Sequence, residues 1–213
     1  MDINFFYCER NNLELLAEPL NLFTNILFLF FSILLYFDKT VKNKIFAFIL
    51  FGIGIGSMLY HSFATRFTAL VDILFIILFI FYYLVILYNK LYIKKNYTYI
   101  LSLIFISSCY VFGYFFYESI LGSSAFYFPI LLHLILLLFY FIYTKKYFYF
   151  KKFIFIPIIF SISLYVRTVD LKYCITFSIG THFFWHILNS IVLYLLIKFI
   201  HLIPDRTSPE KPT

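Results

Sequence analysis

Residues 67–88 read FTALVDILFIILFIFYYLVILY, an apolar run with one charged side chain, Asp72. A run of this length matches the roughly 20 residues that an α-helix needs to cross the hydrocarbon core of a bilayer. The chain contains further apolar stretches of this kind. The predicted spans are residues 20–37, 45–63, 67–88, 97–117, 125–143, 153–166 and 179–200. The sequence therefore predicts an all-α integral membrane protein, folded as a bundle of seven transmembrane helices.

The composition supports this class and excludes a soluble globular domain. Of the 213 residues, 63% are hydrophobic and 13% are charged, and the mean hydropathy is +0.94. These values lie far outside the range of soluble proteins. The connections between the predicted spans are short, so residues 20–203 are expected to form one compact domain. An acidic segment, residues 1–19, precedes it, and a Pro- and charge-rich tail, residues 204–213, is predicted to be disordered.

The predicted loops differ in charge. Lysines concentrate in residues 38–44, 89–96 and 144–152, and loops rich in Lys and Arg face the cytoplasm. This rule predicts a cytoplasmic C-terminus and an N-terminus outside. The net charge of +7 follows from these loops and requires no nucleic-acid partner. The N-terminal segment is short and no eukaryotic retention signal is recognised, so we expect a bacterial inner membrane rather than the endoplasmic reticulum or Golgi.

Three histidines lie at the outer, non-cytoplasmic end of the predicted bundle. His61 ends the second span, and His182 and His186 lie near the start of the seventh. Histidine is costly inside hydrocarbon, so these residues need a reason to be there. The i,i+4 spacing of His182 and His186 puts both imidazoles on one helix face, as two ligands of one ion require. Three imidazoles suit zinc and leave a fourth position open, which is typical of catalytic zinc sites.

Two further polar residues are predicted at the same end. Ser57 lies one helical turn before His61, on the same face, and Asp72 lies about one turn into the third span. A carboxylate at this depth is costly unless it serves a metal site. The set suggests hydrolysis, in which Asp72 accepts a proton from the attacking water and Ser57 donates a hydrogen bond to the carbonyl oxygen. The surrounding bilayer would supply an amphiphilic substrate with an amide or ester bond.

Four short motifs resemble a known family. They are YCER at residues 7–10, AEPLN at 17–21, GSMLYH at 56–61 followed by Asp72, and HFFWH at 182–186. In order and spacing they resemble the alkaline ceramidase family, seven-helix zinc amidases in a superfamily that also contains the adiponectin/progestin-type receptors. Residues 73–178 match that family only as apolar helices.

The resemblance implies an activity and a ligand set. It implies zinc bound by His61, His182 and His186, with Ser57 and Asp72 as catalytic groups. The implied reaction is hydrolysis of the N-acyl bond of a ceramide-like lipid to a sphingoid base and a fatty acid. The protein is therefore expected to be a hydrolase that acts on a linear amide C–N bond of a lipid taken from the bilayer.

The resemblance also implies a calcium site in the N-terminal segment. Its ligands would be Glu9, Asn11 and Glu18, whose oxygen atoms are of the kind that calcium binds. The sequence departs from the family in two ways. Phe6 stands where many members carry a carboxylate, and the segment from residue 9 to residue 18 is shorter than in the animal enzymes. The alternative is an acidic loop that binds no calcium.

A disulfide is a further implication of the resemblance. Cys8 and Cys174 both lie on the predicted outer side, where disulfides persist, whereas Cys109 lies inside the fourth span. The family pattern favours a bridge between Cys8 and Cys174. The alternative is two free thiols.

Other functions remain open at this point. A related hydrolase could act on another lipid. A haem protein could use His61 and His182 as axial ligands but leaves His186 unexplained. A rhomboid-like serine protease would need Gly-x-Ser-Gly, whereas Met58 follows Ser57. A seven-helix receptor or transporter without catalysis is the main rival, although a transporter should spread polar residues near the midplane in repeated halves.

Three features are interpreted as structural. His133, in the fifth predicted span, lies too deep to join the outer histidines and is interpreted as a hydrogen-bonded residue of helix packing. Gly52, Gly54 and Gly56 are interpreted as a small-residue seam that lets helices approach, since no strand precedes them as in a phosphate-binding loop. The short sixth span carries Pro157 and is predicted to be kinked or tilted.

Overall fold

A computed structural model describes residues 7–204 apart from residues 13, 92 and 93. This part of the chain consists of helices joined by short connections. The α-helices are α1 (Pro19–Thr24), α2 (Ile26–Phe37), α3 (Ile45–Phe63), α4 (Arg66–Lys90), α5 (Lys95–Phe116), α6 (Phe128–Tyr143), α7 (Tyr147–Phe153), α8 (Phe155–Val169) and α9 (His182–Leu202). Two 3-10 segments cover Gly122–Tyr127 and Asp170–Lys172. Phe6 and the predicted tail from residue 205 onward lie outside the described residues.

Seven helical stretches of the described chain are long and apolar enough to cross a membrane, which confirms the predicted number of spans. They are Pro19–Phe37, Ile45–Phe63, Arg66–Lys90, Asn96–Phe116, Gly122–Tyr143, Tyr147–Lys172 and His182–Leu202. Large apolar side chains cover their outer faces, and Phe37, Phe67 and Tyr114 are 75%, 72% and 75% exposed. A surface of this kind suits lipid rather than water.

The sixth span is longer than predicted. The apolar pattern predicts residues 153–166 and leaves residues 144–152 as a loop, but helix already begins at Tyr147. The helix is interrupted between α7 and α8, after Phe153. Pro157 explains this position, because its ring conflicts with the carbonyl four residues earlier, that of Phe153. Lys151 and Lys152 lie within α7, so a search for uncharged apolar runs excludes that helix.

The first span contains a break at Asn25, between α1 and α2. The Asn25 side chain donates a hydrogen bond to the carbonyl of Asn21 at 2.7 Å, which is the acceptor that its own backbone N–H would use in an uninterrupted helix. That N–H bonds instead to Leu22 at 3.3 Å. A side chain that competes for the i−4 carbonyl loosens a helix. The short α1 that results packs against both α3 and α9.

Helices α3 and α9 form the centre of the bundle. α3 contacts α1, α2 and α4, and α9 contacts α1, α2 and α8. The predicted glycine seam is confirmed on α3, where a Cβ on Gly54 would lie 2.7 Å from the Leu29 side chain. A Cβ on Gly56 would lie 3.1 Å from the Cα of Asp72. The missing side chain of Gly56 therefore lets the backbones of α3 and α4 approach beside Asp72.

Candidate metal centre

The three predicted histidines meet at one end of the bundle. His61 lies in the last turn of α3, and His182 and His186 lie in the first two turns of α9. They are 1%, 1% and 2% exposed, and one possible ligand atom from each lies within 4.8 Å of the others. This spacing suits three nitrogens around one ion, for which Zn–N distances are about 2.0–2.1 Å. The three imidazoles, called the histidine cluster below, can therefore bind a single metal ion.

A hydrogen bond fixes the orientation of His61. Its Nδ1 lies 2.5 Å from a carboxylate oxygen of Glu18, which is also ion-paired with Arg10. Burial alone would raise the pKa of Glu18, but hydrogen bonds from His61, Arg10 and Asn21 outweigh burial and lower that pKa. The ionised carboxylate can only accept, so His61 carries a proton on Nδ1, and its neutral form, which is the form that binds metal, has its lone pair on Nε2. Carboxylates commonly orient metal-binding histidines in this way.

His186 is held by a hydroxyl. The Thr24 hydroxyl donates to the Leu20 carbonyl at 2.7 Å and so presents its oxygen to Nδ1 of His186 at 3.0 Å. His186 therefore also carries its proton on Nδ1.

His182 is the third member of the cluster, and the structure leaves one of its nitrogens without a partner. Its Nδ1 is buried and has no hydrogen-bond partner among the described residues. A buried polar atom without a partner costs about 1–3 kcal/mol, which a bond to a metal ion would remove. Three uncharged imidazoles are a common ligand set of catalytic zinc. The residues present therefore fit a zinc ion.

The position of His182 depends on how α9 begins. One Asp170 oxygen accepts hydrogen bonds from the backbone N–H groups of Thr181 at 2.6 Å and His182 at 2.9 Å. This carboxylate therefore satisfies two of the N–H groups that a helix leaves unpaired at its start. Its other oxygen accepts from the Cys8 N–H at 3.1 Å. Gly180 makes this approach possible, because it has a φ of +65° and a Cβ there would clash with Asp170 and Cys8.

The N-terminal segment is fastened to the same end of the bundle. Cys8 and Cys174 form a disulfide with their Cα atoms 5.2 Å apart, the pairing that the family resemblance implies. Arg10 adds a second attachment, because its guanidinium donates to the carbonyl of His61 at 2.7 Å. This segment therefore packs directly against the residue that supplies one of the imidazoles.

A cavity of about 440 Å³, called the metal cavity below, adjoins the histidine cluster. Its volume falls within the roughly 300–1,000 Å³ typical of ligand-binding pockets. Ser57 from α3 and Asp72 from α4 lie on its wall together with the three histidines. The structure thus brings all five predicted zinc and catalytic residues to one cavity.

The predicted calcium ligands are engaged within the protein. Both carboxylate oxygens of Glu9 accept backbone N–H groups from α1, at 2.6 and 2.8 Å. Glu18 is paired with the guanidinium of Arg10, and a cation already in this position opposes a second one. Asn11 is exposed. The contacts of these residues give the calcium prediction no support, and calcium has no part in the function proposed below.

One functional candidate on the cavity wall was not predicted. Arg167, in the last turn of α8, lines the metal cavity. Its guanidinium carbon lies 6.0, 5.4 and 5.1 Å from the ring centres of Tyr7, Tyr127 and Trp185. Tyr7 in turn stacks on His182 with ring centres 3.6 Å apart. The apolar pattern assigns Arg167 to an outer loop and gives no signal for Tyr127, whereas Tyr7 and Trp185 belong to the YCER and HFFWH motifs.

His133 lies away from the histidine cluster, as predicted, and packs against aromatic rings. Its ring centre lies 5.0 Å from that of Phe105 and 5.9 Å from that of Tyr88. The prediction that its polar atoms are hydrogen-bonded is wrong for Nε2, which is buried without a partner among the described residues. His133 lines a smaller apolar cavity of about 60 Å³, which shares Ile53 and Ile76 with the metal cavity.

Comparisons of the chain with protein families, curated proteins and solved structures found no match. A function is therefore assigned from the geometry of the site. That geometry consists of three buried imidazoles, a hydroxyl and a carboxylate around one cavity, with a guanidinium on its wall.

Proposed function

We propose that the protein is a membrane-embedded, zinc-dependent hydrolase that cleaves the N-acyl bond of ceramide-like lipids. One observation carries this proposal: the histidine cluster, Ser57 and Asp72 line a single cavity at one end of a bundle of apolar helices. A purely structural metal site has no need of a hydroxyl, a carboxylate and an open cavity beside it. The resemblance of the motifs to alkaline ceramidases agrees with this chemistry.

Each residue of the site has a chemical task in amide hydrolysis. Zinc bound by the three imidazoles would supply a Lewis acid for activating water and polarising the scissile carbonyl. Asp72 accepts the proton that the attacking water loses and returns it to the leaving amine. Ser57 donates a hydrogen bond to the carbonyl oxygen, where negative charge develops. Glu18 holds the imidazole of His61 in a fixed orientation while this happens.

The shape of the cavity suits an amphiphilic substrate. Ser57 and Asp72 form part of its polar wall, whereas Phe28, Ile53 and Ile76 make another part apolar. The smaller cavity shares Ile53 and Ile76, so apolar space continues beyond the site. The amide of an N-acyl lipid would lie near the histidine cluster and its chain along the apolar wall. With the orientation predicted from the loop charges, hydrolysis takes place on the non-cytoplasmic side of the membrane.

Fatty-acid release from a short-chain ceramide in detergent micelles tests this proposal, with zinc measured on the same samples. Ser57→Ala should lower kcat by about 10²–10³-fold and Asp72→Asn by about 10²–10⁴-fold, while both keep zinc. His186→Ala should lose zinc together with activity. Ser161→Ala and Asp38→Asn are matched controls, because these residues do not line the metal cavity and bond to Pro157 and Lys198 instead. Both controls should keep full turnover.

Three results would contradict the proposal in different ways. Unchanged turnover in Ser57→Ala and Asp72→Asn would overturn the mechanism even with zinc present. Zinc binding without hydrolysis of any N-acyl lipid would favour a receptor or transporter. Hydrolysis of another lipid class with ceramide untouched would identify a related lipid hydrolase instead.

A further inference from the structure

Arg167 is a partly buried cation, and none of the described carboxylates forms an ion pair with it. Within the described part of the chain, its side chain forms one hydrogen bond, from Nη1 to the Tyr7 hydroxyl at 3.5 Å. Its Nε is buried and has no hydrogen-bond partner there. No described carboxylate forms an ion pair with Arg167, in contrast to Arg10, which is paired with Glu18.

The carboxylates nearest in the same cavity wall do not fill this role. Both oxygens of Asp170 already accept backbone N–H groups, one from Thr181 and His182 at the start of α9 and the other from Cys8. Asp72 lines the same cavity and attracts the guanidinium electrostatically, but the two side chains form no ion pair. The rings around Arg167 contribute cation–π attraction. Apart from the bond to the Tyr7 hydroxyl, the in-plane N–H donors of the guanidinium have no partner among the described residues. Planar donors of this kind match the two oxygens of a carboxylate.

The charge of the metal cavity also favours an anion. Its wall holds the guanidinium of Arg167, the carboxylates of Asp72 and Asp170, and three imidazoles that are neutral when they bind metal. A divalent ion on those imidazoles would leave the cavity with excess positive charge. Charges within a cavity of the protein interact more strongly than charges on its exposed surface.

We propose that Arg167 binds the carboxylate of a lipid ligand in the metal cavity. Two kinds of lipid present this group: a free fatty acid, which is the product of the proposed hydrolysis, and an N-acyl lipid with an acidic head group, such as an N-acyl amino acid. The second case would narrow the substrate class from neutral to anionic lipids and rests on the proposed function. The first needs only that the cavity admits an acyl chain.

Ligand binding to the zinc-loaded protein in detergent tests this proposal without relying on turnover. The chain contains one tryptophan, Trp185, whose ring lies 5.1 Å from the Arg167 guanidinium, so its fluorescence reports on the site directly. Palmitate, N-palmitoylglycine and neutral palmitamide are titrated as ligands of equal acyl length. Palmitate or N-palmitoylglycine should bind about tenfold or more tightly than palmitamide, because hydrogen bonds to charged groups are the stronger ones.

Variants of Arg167 test whether this residue causes the preference for carboxylate over amide ligands. Arg167→Gln should abolish it, and Arg167→Lys, which keeps the charge but not the planar donors, should restore part of it. Equal binding of palmitate and palmitamide to the unchanged protein would overturn the proposal, and this comparison needs no variant. So would an unchanged preference in Arg167→Gln, which would leave Arg167 a purely structural member of the aromatic cluster.

Comparing palmitate with N-palmitoylglycine distinguishes the two kinds of lipid ligand. Tighter binding of palmitate than of N-palmitoylglycine supports product binding, and the reverse order supports an acidic head group. Failure of the proposed hydrolase function is a distinct result, since a carboxylate preference that Arg167→Gln abolishes can persist in a protein that cleaves none of these lipids.

Discussion

At the scale of single residues, the site depends on how each imidazole is held. Glu18 orients His61 and neutralises the buried Arg10. We expect Glu18→Met to lower zinc affinity by about 10–100-fold, the usual effect of removing a partner of a metal-binding histidine. We also expect a loss of about 3–5 kcal/mol in stability, because the charge of Arg10 stays buried without its partner. Competition with a zinc-binding dye and unfolding in detergent measure the two effects.

Two matched variants separate these effects. Glu14 belongs to the same segment but is exposed, so Glu14→Met should change neither zinc affinity nor stability. Combining Arg10→Met with Glu18→Met should restore much of the stability, because a buried ion pair can be replaced by apolar side chains at little cost. Zinc affinity should stay low in the double variant, since His61 still lacks its acceptor. Wild-type zinc affinity in Glu18→Met would contradict the orienting role.

Neighbouring site residues could be predicted from the sequence where they lie on one helix face. The i,i+4 spacing of His182 and His186 can be recognised along the chain, and the structure brings both to one cavity with His61. The contacts of Glu18 and Arg167 could not be predicted in the same way. Glu18 contacts a histidine 43 positions away, and Arg167 lies in the last turn of α8, past the predicted end of that span.

At the scale of elements, α9 carries two of the three imidazoles, and the turn before it sets where it begins. We expect Gly180→Ala to destabilise the protein by about 1–2 kcal/mol through its positive φ and by about 1–3 kcal/mol more through the clash with Asp170 and Cys8. Gly122→Ala is the matched control, because Gly122 has a φ of +51° and nothing within 4 Å of an added Cβ. Gly122→Ala should therefore lose only the stability that the positive φ costs an alanine. Unfolding in detergent measures both variants.

Zinc content adds a second readout to the glycine pair. Gly180→Ala displaces the carboxylate that holds the N–H groups of Thr181 and His182, so zinc affinity should fall in that variant and not in Gly122→Ala. Equal destabilisation by both changes, with equal zinc affinity, would mean that Asp170 does not fix the start of α9.

The extent of a helix can be predicted from the sequence where the helix is apolar along its whole length. The seven spans follow from runs of apolar residues, because a lipid-facing helix must be apolar along its length. The basic helix α7 was missed for the opposite reason: it is short and carries Lys151 and Lys152. The break at Asn25 was missed because it arises from one side-chain hydrogen bond, for which the hydropathy pattern has no signal.

At the scale of the whole molecule, the two ends of the bundle differ in chemistry. The histidine cluster and the disulfide lie at the end where α3 finishes and α9 begins. The opposite end is rich in lysine, and there Lys198 of α9 pairs with Asp38 beyond α2 at 2.5 Å. Loops rich in lysine face the cytoplasm. The site should therefore face the non-cytoplasmic side.

Labelling of introduced cysteines in intact cells tests this orientation. The native cysteines give little background, because Cys8 and Cys174 are disulfide-bonded and Cys109 is buried. A membrane-impermeant maleimide should label Glu14→Cys, which lies in the exposed part of the N-terminal segment.

The same reagent should label cysteines at the lysine-rich end only after the membrane is permeabilised. Lys42→Cys and Lys145→Cys are suitable probes, because both side chains are exposed in loops. The two loops join different pairs of helices, so the same labelling result at both supports one orientation for the whole bundle. The reverse pattern, with Lys42→Cys and Lys145→Cys labelled in intact cells and Glu14→Cys protected, would place the metal cavity at the cytoplasmic face. The lipid substrate would then have to be supplied from the cytoplasmic leaflet, and the reducing cytoplasm would work against the Cys8–Cys174 disulfide.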